Sequence, residues 1–339
     1  MVLSSGEGVT FQAIPLEHPF IFWFARKVVR YLLLSLTAVV MNFFIPRMMP
    51  GDLLIFIFGE DVYGIALNNP DLIESLKVKY GLNLPITDQL FIYLKNLISG
   101  DFGYSFSFGR PVADIIRERL PLTLIMTIPS TVLSLTIGTI LGTYLGWKPG
   151  SPTKRIASAL CMIIRSIPIY WFGMLFLLVF SLWAKLTPIG GAPPAGAPLS
   201  EFIAHLALPL LVLTMYHVSY VTMIVRGLTV EISEEPFIIT GLSKGLSWFK
   251  FWSRYLLRPS LPPLISLAAM EMGFAFSGAL LVEIVFSWPG MGYTMWQAVI
   301  ERDYPLLQAT FMTVALIVIF ANALADILSY ALDPRVRSR

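Results

Sequence analysis

Read for polarity alone, the chain is a series of long apolar runs set between short polar ones. Residues 120–147, LPLTLIMTIPSTVLSLTIGTILGTYLGW, contain no charged side chain, and a membrane-spanning helix needs roughly 20 apolar residues. Runs of this kind at about 31–49, 120–147, 156–183, 204–226, 262–284 and 306–332 predict six transmembrane helices and an all-α membrane protein. The segment 50–118 between the first two runs is too long for a bare connection and carries helix punctuation of its own. Asn69 is placed to cap a helix with Pro70 in its first turn and Gly81 after its end; Thr87 and Gly100 bracket a second. Leu72, Leu76 and Tyr80 in one, and Leu90, Leu94 and Leu97 in the other, recur at helical spacing. Both read as amphipathic helices on the outer rim, either a packing cap or a docking surface.

Composition agrees with lipid as the main solvent. The 339 residues are 56% hydrophobic and 13% charged, with a mean hydropathy of +0.73, where a soluble domain carries about a quarter charged residues. The charges are also sorted. Arg26, Lys27 and Arg30 precede the first run, Lys148, Lys154 and Arg155 lie between the second and third, and Arg335, Arg337 and Arg339 follow the last. Asp52, Glu60, Asp61, Asp71, Glu74, Asp88, Asp101 and Asp114 fall in 50–118. Basic loops stay in the cytoplasm. The reading is a multi-pass protein of the cell membrane with both termini cytoplasmic and 50–118 outside. The net charge of +3 follows from this sorting and is not a nucleic-acid footprint. Residues 1–25 lack a basic start and a cleavage site and read as a tail or interfacial segment, leaving 26–339 as the membrane unit.

No G-x-x-x-x-G-K-[ST] phosphate loop occurs. His18, His205 and His217 lack ligand spacing, and Cys161 is the single cysteine, so neither a metal site, a disulfide nor a catalytic triad is indicated. A chain of this kind is a conduit, a sensor or a scaffold, with a solitary channel or secondary transporter among the conduits. Three ionisable residues fall inside spans, where a charge costs at least about 2.5 kcal/mol. Arg165 and Glu271 lie at matching depths, about 13 Å from the cytoplasmic face, and Asp326 lies nearer that face. All three are candidates for the border of a pathway, and Arg165 and Glu271 alternatively form a static structural pair. Gly138, Gly142 and Gly146 recur at small-xxx-small spacing, as a sliding face or as a packing seam.

Between the fourth and fifth runs lies EISEEPFIITGLSKGLSWFKFWSRYLLRPSLPP, residues 231–263. Ser233 can cap a helix with Glu234, Glu235 and Pro236 in its first turn. Gly245 suits its end, and a second basic helix follows, with Pro259, Pro262 and Pro263 at the entry to the next run. The element is helix, glycine, helix, set in the cytoplasmic loop 227–261.

This segment resembles the cytoplasmic EAA loop of ABC importer permeases, with Thr240–Gly241 and Ser243–Lys244–Gly245–Leu246 in place of Thr-Ala and Ala-Lys-Gly-Leu. Pro236–Phe237 replaces Asp-Tyr. The resemblance extends over nearly all the chain after residue 25: MPGD at 49–52, KYGLNLPITDQLFIYLKNLISGDFGYSF at 79–106, GRPVADIIRERLPLTL at 109–124, SIPIYWFG at 166–173, EIVFSWPGMG at 283–292, RDYP at 302–305 and ALDPRVR at 331–337. These are similar to the first-in-order, B-type permease subunit of dipeptide, oligopeptide and nickel importers. The resemblance implies a type I importer permease fold that carries di- or oligopeptides inward, with oligosaccharide or nickel as alternative cargo. It implies no enzymatic activity and no cofactor in this chain, with ATP and Mg bound by two partner ATPase subunits. A second, C-type permease and an extracytoplasmic substrate-binding protein complete the implied assembly. Thr240, Gly241, Ser243, Lys244, Gly245 and Leu246 would couple the ATPases to alternating access.

Overall fold

A computed structural model describes residues 19–48, 64, 70–79, 82–194 and 196–332. Asn69, Tyr80, Gly81, MPGD and all but the first two residues of ALDPRVR lie outside the described residues, as do residues 1–18. The chain forms α1 (Pro19–Met48), α2 (Pro70–Lys79), α3 (Ile86–Ser99), a two-stranded antiparallel ribbon of β1 (Tyr104–Ser105) and β2 (Arg110–Pro111), and α4 (Val112–Gly146). There follow α5 (Pro152–Ser166), α6 (Ile169–Phe176), α7 (Leu199–Ser233), α8 (Pro236–Ser243) and α9 (Trp248–Phe251). The last three helices are α10 (Arg258–Val285), α11 (Met291–Ile300) and α12 (Tyr304–Leu332). Wide π turns, Leu177–Trp183 and Trp252–Leu257, extend α6 and join α9 to α10.

Among the described residues four stretches are long and apolar enough to cross a membrane: Trp23–Ile45, Val112–Gly146, Leu199–Ser233 and Tyr304–Ile327. They become five if α5 and α6 with its π turn, bent by 104° at their junction, count as one. The expected third span is therefore a broken one. Pro168 has no N–H to donate and pushes Ile167 out of helical geometry, to φ −83° and ψ 130°. The expected fifth span falls in α10, which is 28 residues long but is not among those stretches. Three capping details also differ from expectation. α3 begins at Ile86 behind Pro85, so Thr87 is inside the helix and does not cap it. Ser233 is the last residue of α7 and returns its hydroxyl to the Thr229 carbonyl at 2.6 Å, while Glu235 precedes α8. The first helix starts at Pro19, inside the segment expected to be a tail. Gly100 ends α3 in the left-handed region at φ +76°, as its position suggested.

The bundle is organised on α4 and α7, each of 35 residues and so about 50 Å long. Added methyl groups at Gly138, Gly142 and Gly146 would each lie 2.6 Å from atoms of α7, at Val221, at Val225 and at Thr229 with the Arg226 carbonyl respectively. Each step of four along α4 meets a step of four along α7, so the helices run in the same direction and touch backbone to backbone. The glycines form a packing seam. Parallel α4 and α7 also require the chain to return across the bundle between 147 and 198, and α5 and α6 supply that return.

A second fastening joins α4 to α10 and α11. Glu283, fully buried near the end of α10, accepts from the Thr123 hydroxyl at 2.6 Å and from the backbone N–H groups of Gly292 and Tyr293 at 2.7 and 3.1 Å. Its carboxylate thereby occupies the start of α11, where free N–H groups favour negative charge. Added methyl groups at Gly290 and Gly292 would lie 2.3 and 3.0 Å from its oxygens. Trp288 donates its indole N–H to Leu122 at 3.1 Å. EIVFSWPGMG is thus a latch closed on its own glutamate. The GDFGYSF and RDYP segments meet likewise, Asp303 accepting from the Ser105 and Ser107 hydroxyls at 2.6 and 2.7 Å.

Gly142→Val, which drives a branched side chain into Val225, is expected to lower stability by about 1–3 kcal/mol through overpacking, read as an earlier melting transition of the detergent-solubilised protein. Glu283→Ala strands two backbone donors and a hydroxyl and is expected to cost about 3 kcal/mol, with Glu283→Gln costing less in the same melting experiment.

Candidate functional site

The loop between α7 and α10 is built around one tyrosine. α8 buries Ile238 and Gly241 and exposes the rest of its length. Gly241 lies flat on the ring of Tyr255, where an added methyl would come within 2.7–2.9 Å of three ring atoms. Phe237 and Phe251 stack on the same tyrosine at 6.4 and 5.6 Å, and Lys244 Nζ donates to its hydroxyl at 3.2 Å. Gly245 takes the left-handed φ of +62° that ends the element. Leu246 packs into the cluster of Ile238, Phe251 and Leu256, whereas Thr240, Ser243, Lys244 and Gly245 are exposed.

The same cluster reaches the end of α4. Trp147, one residue past the helix, packs on Phe251 at 5.0 Å and on Trp248 at 6.0 Å. Trp252 donates its indole N–H to the Thr143 hydroxyl at 2.9 Å. Exposed apolar side chains, Ile239 at 69% and Phe249 at 72%, flank the polar positions. The six residues singled out from the sequence thus occupy one short helix and its exit, held by Tyr255, Phe251, Trp252 and Trp147. Sequence reasoning passed over those four aromatics. The signal was available, because five aromatics between 248 and 255 are unusually dense for an exposed connection.

The three charged residues within spans divide between two places. Arg165 and Glu271 line one cavity of about 170 Å³, together with Tyr216 and His217 of α7 and with Ile169, Gly278 and Leu281. They do not form an ion pair with each other. Glu271, only 1% exposed, bonds His217 Nδ1 at 2.7 Å through Oε2. Arg165 lies over the rings of Tyr216 and Tyr220, at 4.6 and 4.9 Å. Helix spacing explains the clamp: Tyr216 and Tyr220 are four apart, on one face of α7. Asp326 lies elsewhere, tying α12 to α1 through Lys27 at 2.5 Å and Tyr31 at 2.7 Å. His217 is the residue that sequence reasoning missed. It had been set aside for lacking ligand spacing, yet an ionisable group in mid-span is the same signal that marked Arg165 and Glu271.

Among the described residues no cluster of His, Cys, Asp and Glu could hold a metal ion. What the geometry offers is a rigid, partly apolar loop surface on one side and a charged cavity within the bundle.

Comparison with known proteins places the chain in a family. Residues 138–338 match the family described as the inner membrane component of binding-protein-dependent transport systems. The oligopeptide transport system permease protein AppB of Bacillus subtilis (strain 168) is 29% identical over 308 residues, 90% of this chain and 95% of its own length. The dipeptide transport system permease protein DppB of Escherichia coli (strain K12) is 28% identical over 322 residues, covering 88% and 94%. Among solved structures, inward-facing conformations of the MetNI methionine ABC transporter align with a TM-score of 0.54 at 18% identity, over 65% of this chain and 96% of that one. That likeness establishes the fold of an ABC importer permease. Over more than half its length the chain carries the family's pattern, and it belongs to the binding-protein-dependent transport system inner membrane components.

Proposed function

We propose that the chain is the permease subunit of an ATP-driven importer that moves di- or oligopeptides inward. The observation that carries the reading is the extent of the match. Similarity to an oligopeptide and a dipeptide permease runs through about nine-tenths of the chain, loops included, where hydrophobicity alone would not reproduce it. In this reading two ATPase subunits bind and hydrolyse ATP with Mg, a second permease of the C type pairs with this one, and a substrate-binding protein delivers cargo from outside. Both termini and the loop 227–261 face the cytoplasm, in keeping with the basic residues near them.

Thr240, Gly241, Ser243, Lys244, Gly245 and Leu246 form the coupling surface. The exposed members, with Ile239 and Leu242, meet the ATPase. Gly241 and Leu246 pass its displacement through Tyr255 and Phe251 to Trp147 at the end of α4. Because α4 is joined to α7 at the glycine seam, the pair moves as one body. Arg165 and Glu271 border the pathway.

Gentle purification from the native membrane is expected to recover a second permease and one or two ATPases, and the reconstituted assembly is expected to take up peptide only with ATP. Solute flux without ATP, or an oligosaccharide or nickel recovered as the bound cargo, would count against this function. Gly241→Val, wedged against Tyr255, is expected to reduce ATP-driven uptake about tenfold while the chain still assembles. Removing the ring in Gly241→Val/Tyr255→Ala is expected to restore part of it, measured by labelled peptide in proteoliposomes.

A further inference from the structure

The cavity holding Arg165 and His217 has a feature that a static structural pair would not need. Glu271 is an acceptor, so His217 turns its Nδ1–H toward it at 2.7 Å. The opposite nitrogen, Nε2, is buried and has no hydrogen-bond partner among the described residues, although its side chain is only 5% exposed. Nε2 lies beside Gly278, which lines the same cavity. Buried polar atoms are satisfied in the great majority of cases, so this one points to something that occupies the space.

Arg165 completes the arrangement. Its guanidinium lies over the rings of two tyrosines, which holds its position, yet it makes no hydrogen bond or ion pair among the described residues, and the residue is exposed. A guanidinium held in this way keeps N–H groups free, and its edge matches a carboxylate in two-pronged fashion. At about 30 Å³ per water the cavity holds the volume of about five, enough for a carboxylate with one small residue attached. Ile169 and Leu281 supply apolar wall for that residue.

We propose that this cavity is a subsite for the C-terminal carboxylate of a peptide in transit, held by the edge of Arg165 with the unpartnered Nε2 of His217 beside it. Glu271 does not touch the ligand; it bonds Nδ1 and so aims Nε2 of the imidazole into the cavity. The inference rests on the peptide reading above and adds to it a recognition step inside the membrane.

The test uses the whole importer complex in detergent, without its substrate-binding protein, and compares binding of trialanine with binding of trialanine amide by calorimetry. The free acid is expected to bind about tenfold more tightly, the effect of charge-assisted hydrogen bonds. Arg165→Gln is expected to bring the ratio near one. Arg165→Lys, which keeps the charge and loses the fork, should give an intermediate ratio even if the Gln variant fails to assemble. Glu271→Gln is expected to lower the same ratio less than Arg165→Gln. Equal affinities for acid and amide in the unaltered complex, or a ratio unchanged by both Arg165 variants, would overturn the proposal. So would competition by short-chain phosphatidylglycerol that Arg165→Gln abolishes without changing the peptide ratio, which would assign the cavity to a lipid phosphate. ATP-driven uptake of trialanine with the binding protein present is measured in parallel. Uptake without an acid preference at the cavity removes only this inference, whereas absence of any peptide uptake removes the import reading on which it rests.

Discussion

A helix in hydrocarbon gains nothing by hiding its leucines from lipid, and that constraint shapes the closest helix contacts in this bundle. α4 shows it plainly. The helix exposes Ile125, Ile128, Val132, Leu133, Ile137, Ile140 and Leu141, and buries Thr123, Thr127, Ser130, Ser134, Gly138, Gly142 and Gly146. A water-soluble helix would turn the other way. With no hydrophobic drive between helices, association depends on close approach and on hydrogen bonds. The glycines supply the approach to α7. Thr127, Thr131 and Ser134 return their hydroxyls to carbonyls of their own helix, which lowers the cost of burying them, while the buried Ser130 hydroxyl has no partner among the described residues.

The same seam decides what a force on the loop can reach. Gly146 is the last residue of α4, and Trp147 and Thr143 beside it receive Phe251, Trp248 and Trp252. A displacement at α8 would meet the end of the one helix most tightly bound to another. In its N-terminal third α4 is joined through Thr123 and Leu122 to Glu283 and Trp288. α4 is therefore held near its C-terminal end, in its N-terminal third and along its inner face. The α5–α6 pair contrasts with it, being bent at Pro168 and leaving Trp171, Met174 and Trp183 exposed.

The long apolar runs and the glycine spacing were legible in the sequence because hydrocarbon sets both the length of a span and the size of the residues between spans. The break at Pro168 was not. Pro121, Pro129 and Pro209 lie inside unbroken helices, so a proline in an apolar run does not by itself announce a bend; neighbouring helices decide. Ser233 misled for a related reason, since a serine hydroxyl can cap a helix or bond the carbonyl four residues back, and here it does the latter. Of the cavity, Arg165 and Glu271 were legible from the cost of a charge in lipid. Their separation into an Arg–Tyr clamp and a His–Glu pair was not, because Glu271 and His217 are 54 residues apart and no local spacing joins them.

Two buried carboxylates on α10 show how to tell a structural charge from an available one. Glu283 receives three donors, one hydroxyl and two backbone N–H groups, and glycines are required where its oxygens lie. Nothing remains there for a ligand. Glu271 has a single hydrogen-bond partner among the described residues, and that partner has its other nitrogen unsatisfied beside a cavity that also contains an exposed guanidinium. Burying charge in a bundle costs stability unless every bond is made. A site that leaves some unmade bears that cost in the absence of its ligand, and the arrangement around His217 has the form of a place kept ready for one.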